Sequence, residues 1–422
     1  MVFADVSNVA RTMDEVKSTI LYLSYDGMTD PLGQAQVLPY IIGLSKKGYQ
    51  FHLISFEKPD RFQKLQHQIQ KICEQNAIVW HPKIYTKKPP LLSTLYDVLR
   101  MRKLSFKLHK NHHFSIVHCR SYLSALVGID MKKKFKTKFL FDMRGFWADE
   151  RVDGKIWNLK SPIFKSVYNF FKRKEKEFFL NSDHIISLTH NGKQEIESWK
   201  GFEHLSAKIE VIPCCADLSK FNPDSITENQ KIETRQKLKI DDRQFVLGYV
   251  GSIGTWYMLD EMLSVFKSLL LKKDNAVFLF VTGDNPSEII HQAQKLDIPE
   301  NSLRIQSAIH TEVATYISLF NASVFFILPA YSKKASSPTK QGELMSMGIP
   351  IICNAGVGDT DKIIEKYKAG LVIQEMNQHN FSLLDWDDIP FDKSLARNGA
   401  EEFYGLENGV QKYFQVYQKL LA

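Results

Sequence analysis

Residues 336–348, SSPTKQGELMSMG, place a lysine and a glutamate in the opening turn of a helix. Ser337 followed by Pro338 reads as an N-cap with proline at the first helical position. The positive end of a helix dipole disfavours the Lys340 ammonium by about 0.3–1 kcal/mol unless an anion shares that terminus. The backbone N–H groups of Thr339 to Gln341 would face such an anion, and the preceding buried run VFFILPA puts the turn at the carboxyl end of a parallel strand. Glu343 lies three residues on and shares a face with Lys340; the plain alternative is a solvent-exposed pair in which Glu343 complements the dipole. Gly342 weighs against that alternative. Glycine costs about 1 kcal/mol inside a helix relative to alanine, yet it lets a ligand approach the backbone.

Two arginines offer further charge. Arg120 in HCRSY and Arg144 in DMRGFWADE both follow predicted strands and are expected to open toward one interdomain cleft. A bidentate guanidinium suits phosphate or a sugar carboxylate better than an ammonium does. For Arg144 the alternative is an ion pair with Asp142, Asp149 or Glu150. The Asp-x-Asp strings at 359–361 and 385–387 could hold Mg²⁺ against a phosphate. A string that short is unspecific, and no metal or other cofactor is expected to be required.

The elements that must position these groups follow from hydrophobic runs. TILYLS (19–24), FHLISF (51–56), SIVH (115–118), KFLFDM (138–143), HIISL (184–188) and IEVIP (209–213) read as buried parallel strands separated by helix-length segments. After a polar stretch at 222–244 the pattern restarts with FVLGYVGSIG, VFLFVTGD, RIQSA, SVFFILPA, IPIICNAG and GLVI. The fold class is therefore α/β, with two Rossmann-like doubly wound domains facing a cleft: residues 1–220, expected to be completed by a C-terminal helix at 404–422, and residues 221–403. That last helix carries Val410, Tyr413, Phe414, Tyr417 and Leu421 at helical spacing and is expected to pack back across the first domain. Each half opens with a strand running into a glycine-bearing loop, and neither contains GxGxxG, which disfavours a dinucleotide cofactor.

Composition narrows the partners. The chain has 422 residues, 44% hydrophobic and 24% charged, as ordinary globular proteins do. Five scattered cysteines without CxxC spacing argue against a metal or disulfide framework. The polar start and the absence of any span-length apolar run point to a cytoplasmic protein. A net charge of +8 calls for an anionic partner. The stretches MKKKFKTKF (131–139) and SPIFKSVYNFFKRKEKEFF (161–179) are basic. In the second, Ile163, Phe164, Val167, Tyr168 and Phe171 form one helical stripe, either a buried face or a face resting on an anionic membrane surface. No nucleic-acid motif accompanies the charge, so nucleic acid is not an expected partner.

Together, PTKQGELMSMGIPIICNAGVGD, VLGYVGSIGTWYMLDEML, IISLTHNGKQEI, VIPCCADLSKFNP and ILYLSYDGMTDPLGQAQVL resemble the family 4 retaining glycosyltransferases across essentially the whole chain. The resemblance implies the GT-B architecture, a nucleotide-sugar donor held mainly by the C-terminal domain, and a glycan or lipid-linked acceptor held mainly by the N-terminal one. It implies that Glu343 binds the donor ribose, that Lys340 and the N–H groups of Thr339 to Gln341 face the diphosphate, and that Gly33 approaches the donor from the first glycine loop. Gly251, Ser252 and Ser337 fall among the implied donor contacts, and IQSAIHTEV resembles the passage that receives the nucleobase. Three departures stand out. Ala335 replaces the first acid of the family's E-x7-E pair, Ser252 and Trp256 stand where loop cations are expected, and Arg120 replaces a histidine. The departing phosphate itself can take the acceptor proton, with Glu150 the alternative base. The expected role is bacterial surface polysaccharide or glycolipid assembly; the rivals are a GT-B epimerase or phosphorylase and a noncatalytic sugar-nucleotide-binding subunit.

Overall fold

The structure, a computed structural model, describes residues 17–309 and 311–422. The polar start, 1–16, lies outside the described residues, as does His310 of IQSAIHTEV.

Among the described residues, thirteen strands form two parallel sheets. The first contains β1 (Ser18–Ser24), β2 (Tyr49–Glu57), β3 (Ile78–Ile84), β4 (Ile116–Arg120), β5 (Lys138–Asp142), β6 (His184–Ser187) and β7 (Ile209–Val211), in the order β3-β2-β1-β4-β5-β6-β7. The second contains β8 (Val246–Val250), β9 (Val277–Val281), β10 (Leu303–Gln306), β11 (Ala322–Phe325), β12 (Ile351–Asn354) and β13 (Gly370–Ile373), in the order β10-β9-β8-β11-β12-β13. The central strands β4, β8 and β9 are fully buried, and β8 and β9 are apolar on both faces, as parallel strands covered by helices on each side are. The order reverses between β1 and β4 in one sheet and between β8 and β11 in the other. These are the switch points where doubly wound sheets open a crevice at their carboxyl ends.

The sheets divide the chain between 211 and 246, while compactness divides it into a first unit, up to Leu140 plus Tyr417–Ala422, and a second, Phe141–Val416. In the first unit the loop after β1 is fastened by the buried Glu57. Its carboxylate accepts from Met28 N at 2.8 Å, Thr29 N at 2.9 Å and Thr29 Oγ1 at 2.6 Å. The end of the C-terminal helix, Leu406–Leu421, returns here: Tyr417 packs on Tyr49 and Phe51 and hydrogen-bonds His118 Nδ1 at 2.8 Å. Its buried stripe is Val410, Tyr413, Val416, Tyr417 and Leu420, whereas Leu421, expected inside, is exposed. In the second unit a continuous apolar core surrounds β8 to β13.

Candidate functional site

The groups that could do chemistry gather in the second unit at the β8/β11 switch point. β8 ends in Tyr249 and Val250, and the chain then turns at Gly251 with φ of +113°, a conformation that favours glycine. A Cβ on Gly251 would lie 3.0 Å from Lys340 Nζ, so the turn is also the floor on which the lysine rests.

The helix Thr339–Met347 begins later than its sequence suggests. Pro338, not Ser337, occupies the cap position, and no side chain caps this terminus. Ser337 Oγ turns away to accept from Cys214 N at 3.2 Å. Cys214 Sγ in turn receives Arg144 Nη2 at 3.1 Å, so Ser337 and Arg144 converge on one residue. Arg144, at φ of +56°, also faces Asp142 at 3.8 Å, the ion pair weighed for it, in a loose form.

Lys340 is buried. Its Nζ donates to Tyr249 Oη at 3.1 Å and lies 3.8 Å from the centre of the Tyr257 ring and 4.2 Å from that of Tyr249. Aromatic faces attract a cation, but they replace lost hydration only in part. Burial accordingly lowers the Lys340 pKa to about 7, with Glu343 pulling the other way. Burial raises Glu343 to about 7, opposed by Lys340. Glu343 is half-buried and makes no hydrogen bond among the described residues, so its oxygens can still accept.

Gly342 has a different reason from the one its sequence suggests. A Cβ there would meet Tyr404 Cβ at 2.5 Å and Cγ at 2.7 Å; the glycine admits Tyr404 rather than a ligand. Gln341 is buried and donates to Thr360 O at 3.1 Å, while its Oε1 has no partner. Ser252 Oγ donates to Asp284 Oδ2 at 2.8 Å, and Ile253 N binds the same oxygen, so Asp284 pins the loop after β8.

A second lysine joins this loop. Lys333 is buried, with Nζ 3.5 Å from the centre of the Trp256 ring and 2.9 Å from Glu150 Oε1. Trp256 lies against Gly154, where a Cβ would come within 2.8 Å of its Cζ2. The adjacent residues Trp256 and Tyr257 therefore each hold a buried ammonium. Sequence reasoning assigned no role to Lys333, Tyr249 or Tyr257. The one signal for them was a tyrosine within the otherwise aliphatic VLGYV.

Ala335 is fully buried, and a Cβ built on Gly192 would meet its Cβ at 2.9 Å. A glutamate has no room at 335 in this packing. The Asp-x-Asp carboxylates are engaged otherwise. Asp359 accepts from His190 N and Asn191 N at 2.6 and 2.9 Å, Asp361 accepts from Gly356 N and Lys362 N, and Asp387 pairs with Lys273.

In the first unit, Gly33 and Arg120 meet consecutive residues of the loop after β1. A Cβ on Gly33 would fall 2.1 Å from Gly27 O, so close backbone packing requires this glycine. Arg120 is buried at the end of β4; its Nε binds Asp26 Oδ2 at 3.1 Å, and its Nη1 is buried without a partner.

Residues 37–220 match the family model described as glycosyltransferase family 4, and residues 230–384 the model described as glycosyl transferases group 1. The chain belongs to the family 4 glycosyltransferases. A relative from Streptococcus pneumoniae named alpha-monoglucosyldiacylglycerol synthase is 27% identical over 302 residues, 66% of this chain and 64% of the relative, so the match spans a little under two thirds of that relative's length. Among solved structures, sucrose-phosphate synthase from Thermosynechococcus elongatus superposes with a TM-score of 0.71 at 15% identity, over 96% of this chain and 99% of that one. An Anabaena protein solved in complex with UDP and glucose gives 0.66 at 13%, over 95% and 99%. At these identities the likeness establishes the GT-B fold alone. Within this glycosyltransferase, no described helix is long and apolar enough to cross a membrane.

Proposed function

We propose that this glycosyltransferase moves a sugar, with retention of configuration, from a nucleotide-sugar to a glycolipid or other lipid-linked acceptor. One observation carries the reading: a buried ammonium, Lys340, on an uncapped helix terminus at a sheet switch point, one turn from a half-buried carboxylate with open acceptor positions. A diphosphate at that terminus would restore the charge environment that burial takes from Lys340, and Glu343 would accept from the ribose hydroxyls. Gly251 and Ser252 shape the turn beneath the diphosphate, while Ser337, Thr339 and Gln341 frame the terminus. Lys333, carried on Trp256, supplies a second cation to the same loop.

During transfer the bond from the anomeric carbon to the diphosphate oxygen breaks as the acceptor oxygen bonds to that carbon on the same face. The acceptor proton passes to the departing phosphate. Catalysis consists mainly of stabilising the negative charge on the leaving group and of holding the acceptor in place. Lys340 does this, with Arg144, tied to Cys214, as the further candidate cation. Glu150, paired with Lys333, acts on that lysine's charge in preference to serving as a base. No metal is needed in this scheme.

The names of the pneumococcal relative and the UDP-bound neighbour support the lipid acceptor and a nucleoside diphosphate donor respectively. All five cysteines are buried and unbridged, which supports action on the cytoplasmic side, in surface polysaccharide or glycolipid assembly. Incubation with radiolabelled UDP-glucose, UDP-galactose or GDP-mannose and diacylglycerol or a monoglycosyl lipid, with and without excess EDTA, tests the proposal. An α-linked, solvent-extractable product formed equally in both conditions is expected. An inverted product, or complete loss of transfer in EDTA, would overturn the mechanism.

A further inference from the structure

The helix Leu92–His112 lies wholly within the first unit. It turns Ser93, Asp97, Val98, Met101 and Ser105 inward, packing on β1 and the helix Ser121–Phe135. Its outer face is apolar over the first two turns. Leu92, Leu95, Tyr96 and Leu99, at i, i+3, i+4 and i+7, are 66%, 56%, 56% and 53% exposed. Single exposed leucines are ordinary, but a contiguous stripe of large apolar side chains needs a reason. The same face continues as Lys103, Lys107 and Lys110, all exposed and without an acid partner among the described residues. Exposed Lys87 and Lys88 precede the helix. Its single acid, Asp97, is buried and saturated by Thr86, Tyr25 and Arg100. The lysine-rich end of the helix Ser121–Phe135 adds to the charge, with Lys134 lying over Phe106.

We infer that this face is where the enzyme docks on an anionic lipid bilayer. Apolar side chains that reach the acyl boundary beside lysines that reach lipid phosphates suit that partner by both polarity and charge. The helix Pro162–Asn181, the sequence's own candidate, fits less well. Its Ile163 is exposed rather than buried and its Lys165, Arg173 and Lys176 are exposed cations, but its exposed large apolar side chains, Ile163, Phe170 and Leu180, are spread along the helix and form no contiguous stripe. The inference deepens the lipid-acceptor reading while standing on separate observations.

Co-sedimentation with vesicles of phosphatidylcholine alone and of phosphatidylcholine mixed with phosphatidylglycerol tests it. The wild type is expected to bind the mixed vesicles and to release them as salt rises. Leu95→Asp with Leu99→Asp should reduce partitioning at least about tenfold, and Lys103→Gln with Lys107→Gln and Lys110→Gln should remove the preference for phosphatidylglycerol. Ile163→Asp with Phe170→Asp should change neither. Unchanged melting temperatures confirm folding, and transfer to a detergent-dispersed acceptor should persist in the docking variants. If that transfer is absent even in the wild type while vesicle binding follows this pattern, the reaction assignment fails and the docking face stands. Vesicle binding insensitive to both helix 92–112 variants, loss only in the 162–181 control, or a dimer broken by Leu95→Asp without any vesicle binding would overturn it.

Discussion

Lys340 and Glu343 are tuned in opposite directions by one cause. Loss of hydration makes the ammonium easier to deprotonate and the carboxyl easier to protonate, and each falls near pH 7. Both roles need the charged forms. As pH falls through about 7 the Glu343 carboxylate is lost, and as pH rises through about 7 the Lys340 ammonium is lost. The profile of kcat/KM against pH should therefore be a narrow bell centred near 7, since it reports free-enzyme ionisations. Glu343→Gln should flatten the acid limb and leave the alkaline one. A flat wild-type profile over about two units around neutrality, or an acid limb that survives in Glu343→Gln, would contradict these assignments. At this scale the sequence exposed the two groups because a first-turn lysine breaks a local rule. It could not expose Lys333, Tyr249 or Tyr257, whose roles arise from contacts between distant segments.

Elements were legible where their residues bury both faces. The runs of β1, β2, β4 to β6, β8, β9, β11 and β12 are largely apolar because they lie inside their sheets, and their short length and β-branched and aromatic content mark them as strands. β3 is different. It is an edge strand carrying Pro82 and an exposed Val79, so it lacks a continuous apolar run. The start of the 339–347 helix moved because Ser337 found Cys214 N, a partner far away in sequence. Local sequence points Gly342 toward ligand approach because Tyr404, which packs on it, lies far downstream in the chain. Those two explanations differ in sign. If helix propensity alone governed this position, Gly342→Ala would stabilise by about 1 kcal/mol. With Tyr404 Cβ 2.5 Å from the new methyl, overpacking should instead cost roughly 1–3 kcal/mol. Urea unfolding decides it: a lowered midpoint is expected, and a raised one would remove Tyr404 as the reason for the glycine.

For the whole molecule, a repeated strand pattern interrupted at 222–244 was enough to read two doubly wound sheets. The interruption contains the short helix Glu228–Leu238, closed by a Thr227–Gln230 capping box. Compact units are a different matter. β6, β7 and the helices around them are bound to the six-stranded side by pairs such as Glu150 with Lys333 and Asp359 with the 190–191 amides, contacts that hydrophobic periodicity does not encode. The +8 charge was visible at once, but its arrangement was not: a basic surface with an exposed apolar stripe belongs to residues 92–112, where burial decides which leucines face water. The central claim is that the 339–347 helix terminus holds a nucleoside diphosphate. Calorimetric titration of UDP, GDP, ADP and CMP into the wild type, Glu343→Ala and Lys333→Met tests it most directly. One diphosphate should bind the wild type at micromolar affinity, weaken at least about tenfold in Glu343→Ala and weaken less in Lys333→Met. Failure of all four to bind, or binding indifferent to Glu343→Ala, would contradict it.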